Sequence, residues 1–231
     1  MRGDGGDTAA CEGPQPAPMT PALRGRLHQA ALFVVIPAGA ALVAVAHTAT
    51  ARTVAAVYAA SLVGLYGVST AYHRLRCGPR LRAWMKRADH SMIYVLIAGT
   101  TTPFAVLALR APWSFVLLGI VWLGAAVGVA AKWIRVDGFA VLTGTLYITM
   151  GWSALVFAPE FLHRMSPLTL ALVLAGGVFY TGGALVFQRG RPDPAPATFG
   201  YHEIWHSCVI AATACHYVAV LLVVLPAQPA I

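Results

Sequence analysis

Apolar residues in this chain fall into seven blocks separated by short polar stretches. The blocks cover residues 30–46, 54–71, 91–109, 113–131, 139–157, 168–187 and 204–225. Each approaches the ~20 residues that an α-helix needs to cross the hydrocarbon layer of a bilayer. None alternates with period two, as the strands of a membrane barrel do. A helix satisfies its own backbone hydrogen bonds where water is absent. The pattern therefore predicts an all-α integral membrane protein with seven transmembrane helices. Residues 1–22 are polar and rich in Gly and Pro, and read as a disordered tail. Residues 23–226 form the membrane domain, and 227–231 a short C-terminal tail. The N-terminal stretch lacks the basic start and short apolar core of a cleaved leader, so the first block is expected to direct insertion.

Charged residues make up only 10% of the chain and mean hydropathy is +0.70, against about 25% charge in a soluble domain. The formal net charge of +8 would suggest nucleic acid in a soluble protein. Here its distribution excludes that reading. Arg2, Arg24 and Arg26 precede the first block, six Lys or Arg lie between residues 74 and 87, Lys132 and Arg135 follow the fourth block, and Arg189 and Arg191 follow the sixth. These are 13 of the 16 Lys and Arg, and only Arg52, Arg110 and Arg164 fall on the other side. Basic loops stay in the cytoplasm, so the N-terminus is expected in the cytoplasm and the C-terminus outside. The four cysteines show no CxxC spacing and no disulfide framework.

His73, Asp89, His202 and His206 all fall at block ends on the basic side. Ser69 and His73 are four residues apart, as are His202 and His206, so each pair shares a helix face. Three neutral imidazoles from two helices suit zinc. They would leave a fourth position for water, whose pKa falls to ~7 on zinc. Asp89 then reads as a general base and Ser69 as a group that polarises a carbonyl or orients water. The chemistry that follows is hydrolysis of a lipid amide or ester.

Each residue also has a plainer reading. Histidines near a membrane surface bind headgroups or loop carbonyls. Ser69 packs readily between helices, and Asp89 pairs with Arg87 or caps the third helix. His28 and His90 read as interfacial, His216 as a packing residue, and His47 and His163 as lying on the far side. Gly124 and Gly128 have close-packing spacing. Pro103 should kink the third span, and residues 190–196 form a stiff linker. The basic stretch from Arg74 to Arg87 is first a topology signal, and second a candidate contact for anionic lipid.

Three segments together resemble the hemolysin III family, bacterial members of the progestin and adipoQ receptor family. These are Ser69-Thr-Ala-Tyr-His73, then Arg87-Ala-Asp-His-Ser91 leading to Gly99-Thr-Thr-Thr-Pro103, then Phe199-Gly-Tyr-His-Glu-Ile-Trp-His206. Tyr180-Thr-Gly-Gly and Arg191-Pro192 add to the match, which covers residues 23–225. The resemblance implies seven spans, a multi-pass protein of the bacterial plasma membrane, and zinc held by His73, His202 and His206. It also implies that Asp89 reaches the metal through water, with Ser69 nearby. Many members carry a Glu/Asn-containing motif entering the first span, where this chain reads Arg24-Gly-Arg-Leu-His28. The wider superfamily includes alkaline ceramidases, so membrane lipids are the implied substrate or ligand. A receptor or membrane-homeostasis protein with structural zinc, and a pore-forming cytolysin, stand as alternatives. The oligomeric state is not readable.

Overall fold

A computed structural model describes residues 21–225, so all but the last two residues of the expected disordered tail and the whole of the C-terminal tail lie outside the described residues. The helices are α1 Arg26–Ala44, α2 Ala49–Arg74, α3 Pro79–Ala108, α4 Trp113–Ile134, α5 Ala140–Trp152, α6 Ala158–Arg164, α7 Pro167–Arg189 and α8 Tyr201–Val224. Seven helices among the described residues are long and apolar enough to cross a membrane, with 141–164 counted as one crossing. The fifth span departs from its expected form. α5 passes into a 3₁₀ turn at Ser153–Phe157, and α6 completes the crossing, so the span runs past residue 157 to Arg164.

Local chemistry marks the helix starts. Thr48 Oγ1 accepts from Ala51 N–H and Ser166 Oγ from Thr169 N–H, both at 3.1 Å. Pro79 and Pro167 sit in first turns, where a missing N–H costs nothing. The N–H groups at the start of α8 are met by two carboxylates. Gly200 N–H donates to Glu203 Oε2 and Tyr201 N–H to Asp193 Oδ1, each at 3.0 Å.

α3 is the most enclosed helix, with 67% of its apolar stretch buried against 11% in α7. Residues Ala98 to Ala105 are all buried, as expected of a helix with neighbours on every side. Gly99 lets α2 approach, because a Cβ there would strike Ser61. Gly128 and Gly124 also pack within the chain, accommodating Tyr94 of α3 and Met150 of α5. Pro103 lies inside a continuous α3. Consecutive helices pair along the chain, and α8 returns to pack on α1, α2 and α3 as well as α7. That return is what brings the end of α2, the first turns of α3 and the start of α8 together at one end of the bundle.

The outward surface is apolar. Phe33, Phe115, Leu123, Val141 and Val156 are all about 70% exposed or more, which water would penalise and lipid would not.

Candidate metal centre

The third helix begins 12 residues earlier than the apolar pattern indicates. Most of the basic stretch from 74 to 87 is therefore helix, and only residues 75–78 connect α2 to α3. Asp89 and His90 consequently lie in the third turn of α3 rather than at its start, so Asp89 is no helix cap. The Arg87 guanidinium donates to Ala83 O.

His73 comes from the last turn of α2, and His202 and His206 from the first turns of α8. One nitrogen from each lies within 4.8 Å of the others. The Nε2 atoms of His73 and His202 are 3.3 Å apart, with the rings nearly perpendicular at 83°. A tetrahedral zinc with Zn–N bonds of ~2.0–2.1 Å has N···N edges of ~3.3 Å, so this pair already has the spacing of two ligands. His206 is buried, and its Nδ1 has no hydrogen-bond partner among the described residues, as is also true of His28 Nε2 beside it. The donor set fits zinc in number and type, and the His73–His202 pair fits it in spacing.

The three histidines open into a cavity of about 870 Å³ at the basic end of the bundle, with Ser69, Asp89 and His90 in its wall. Asp89 is outside the three-histidine set and lies beside the Ser69 hydroxyl. His90 Nδ1 is 2.8 Å from Lys86 O; its side chain is half-buried and faces this cavity rather than a simple interface.

His28 corrects the interfacial reading more strongly. It is 3% exposed, and its ring stacks on His206 with centroids 3.6 Å apart and planes 13° from parallel. Its Nδ1 lies 2.9 Å from Ser69 Oγ. A basic approach to a hydrophobic block looks interfacial in one dimension. In the fold, the first turn of α1 is tucked between α2 and α8.

Two further residues hold this arrangement and were not legible as functional. Glu203 is fully buried and accepts from Arg24 Nε at 2.6 Å, tying the segment before α1 to the start of α8. Gly25, at φ +75°, lies against His73, where any Cβ would collide with that residue's Cβ. The nearest signal for Glu203 was its place between His202 and His206, on a different helix face. At the mouth, Lys86 binds Asp137 at 2.7 Å, and this hydrogen bond holds the exposed Asp137 carboxyl below its ordinary value.

Two other histidine expectations agree with the structure. His216 is buried with Nε2 3.1 Å from Val173 O, a packing role. His163 lines a separate pocket with Arg110 and Glu160. Cys77, Cys208 and Cys215 are free, and Cys11 lies outside the described residues.

The fold and this cluster define a class: a multi-pass helical membrane protein with a histidine cluster at one end of the bundle. The family model for haemolysin-III related proteins matches residues 17–217, and the chain belongs to that family. It is 36% identical over 179 residues to the Hemolysin-3 of Bacillus cereus, covering 78% of each chain. It is 33% identical to the Hemolysin-3 homolog of Bacillus subtilis (strain 168), over 71% of this chain and 74% of that one. A more distant likeness, 26% over 202 residues, links it to the human monocyte to macrophage differentiation factor, covering 81% and 79% of the two chains.

Proposed function

We propose that this protein is a zinc-dependent membrane hydrolase of lipid amides or esters, acting at the cytoplasmic face of a bacterial plasma membrane. The observation that carries the reading is three histidine nitrogens within 4.8 Å of one another in the wall of a large cavity that also contains an acid outside the ligand set. Zinc there would supply a Lewis acid that polarises a carbonyl and makes water acidic near neutral pH.

The chain's own residues have separable tasks. His73, His202 and His206 hold the metal. Asp89, free of the ligand set, accepts the proton of the attacking water. Ser69 lies between His28 Nδ1 and Asp89. When its hydroxyl donates to the ionised carboxylate, its oxygen is left to accept from His28 Nδ1–H. That double engagement makes Ser69 an orienting group for Asp89 rather than a nucleophile. Beyond the histidines the cavity meets a narrow apolar cleft of about 70 Å³ between α3, α5, α7 and α8, sharing Leu65, Ile93, Trp205 and Val209 with it. A polar chamber continued by a small apolar cleft suits a substrate with a polar linkage and the start of a hydrocarbon chain.

A second reading has its own support. All three histidines come from α2 and α8, so a metal there also staples two helices, as in a receptor-like or membrane-homeostasis protein with structural zinc. A cytolytic pore would need a polar path across the bilayer, whereas the cavity leads into an apolar cleft.

The test compares metal-loaded wild type with Asp89→Asn across ceramides and other lipid amides and esters. Asp89→Asn should keep its zinc and lose turnover. Equal turnover by both proteins removes Asp89 as the base. No turnover by metal-loaded wild type favours the structural-zinc reading.

A further inference from the structure

One face of α3 carries a graded sequence of side chains. Arg82, Lys86, Asp89 with His90, and Ile93 line the large cavity. Ile93, Ile97 and Thr100 continue into the apolar cleft. The positions are three or four residues apart, so they form one stripe. Arg82 to Ile97 spans about 22 Å along the axis. Along it the wall passes from cations to acid and imidazole, then to hydrocarbon. The other side of the mouth repeats the cationic start with Arg74 and Arg76, from the end of α2 and the short connection that follows.

We propose that the cavity takes an anionic amphiphile. Its phosphate headgroup is held by Arg74, Arg76 and Arg82, its linkage lies beside Asp89 and the histidines, and its chain enters the α3–α5–α7–α8 cleft. This rests on the reading of the cavity as a lipid site and names the class of lipid. Among the described residues no carboxylate pairs with these three arginines, whereas Arg24 and Lys86 are engaged by Glu203 and Asp137. The Arg82 guanidinium lies 5.2 Å over the Tyr72 ring, itself part of the wall. That stacking fixes the planar fork, which matches phosphate oxygens in pairs. Membrane orientation alone does not produce this arrangement. It accounts for how many cations stand on this side, not for which of them face the cavity. Arg80 and Arg87, on the same helix, are not in its wall.

The test uses the full chain in phosphatidylcholine nanodiscs doped with one of two probes carrying a photoreactive group at the chain end. One is phosphatidylglycerol and the other is diacylglycerol with the same chains. Crosslinks to α3 residues 96–101 are read by mass spectrometry. Wild type should label several-fold more strongly with phosphatidylglycerol. The triple variant Arg74→Ala, Arg76→Ala, Arg82→Ala should bring the ratio to about one, and Arg76→Glu alone should lower it. A control triple, Arg80→Ala, Arg87→Ala, Arg135→Ala, removes as much charge from the same side and should leave the ratio intact. A control that loses it equally, or a wild type that does not discriminate, overturns the proposal. Excess inorganic phosphate that abolishes labelling would assign the site to free phosphate and overturn the lipid. Zinc content and hydrolysis are measured separately on the same samples. A missing metal then refutes the hydrolase reading, while the labelling ratio alone decides the headgroup.

Discussion

At the scale of single residues, the cluster depends on residues with three different tasks. On the proposed reading, ligation would rest on His73, His202 and His206, whose nitrogens lie within 4.8 Å of one another. Each alanine variant should lose most of the zinc, about one ion per chain on a one-site reading, while His163→Ala keeps it. Elemental analysis of purified protein checks this, and unchanged metal in all three cluster variants removes the site. Placement rests on Gly25. Alanine there meets both a positive φ and the Cβ of His73, a strain of about 1 kcal/mol or more. Gly25→Ala should therefore weaken zinc affinity several-fold in a competition titration with a chelator. Gly119→Ala, in open space on α4, should leave affinity unchanged. Support rests on His28, stacked on His206 and hydrogen-bonded to Ser69. The histidine spacing made the cluster readable, since i,i+4 pairs project together from any helix. His28 and Gly25 were not readable, because their importance lies in contacts with chain 40 to 180 residues away.

At the scale of elements, the working end is held by the segment before α1 and the start of α8. Ala22 N–H donates to Ala197 O at 3.0 Å, and Arg24 closes the contact on Glu203. Glu203 is fully buried and Arg24 a quarter exposed, so removing the arginine strands a buried carboxylate. Such a loss costs about 3–5 kcal/mol. Arg24→Ala should lower the unfolding temperature in detergent markedly. Adding Glu203→Gln should recover part of the loss, because the uncharged amide keeps an oxygen for Gly200 N–H. Strictly additive losses would show that the pair is not coupled. α3 teaches a related lesson. Its first three turns mix charged with apolar residues and fall outside the apolar block, yet Pro79 starts the helix and Lys86 anchors it to Asp137. The fifth span shows the converse, since a continuous apolar block contains a helix break at Trp152 that hydropathy does not register.

At the scale of the whole molecule, sidedness decides where the chemistry takes place. The cavity is lined by five of the basic residues that make up the charge asymmetry, Arg24, Arg74, Arg76, Arg82 and Lys86. A reporter fused to the C-terminus should therefore be accessible only from outside the cytoplasm, and one at the N-terminus only from within. The reverse result would place the cavity on the outer face and redirect the search for its ligand.

What the sequence determined by itself was the kind of molecule and which histidines cluster at one end of it. Seven apolar blocks require seven helices because the bilayer leaves backbone amides no other partner. Four ionisable residues at block ends point to one site because burying them otherwise is unfavourable. The tertiary structure decided everything that depends on which helices touch. α8 returns against α1, α2 and α3, placing two histidines 3.3 Å apart, stacking His28 under His206, and turning one face of α3 into the wall of a graded cavity. Hydropathy places each residue at a depth in the bilayer. Only packing determines its angle around the bundle axis, and a site needs both.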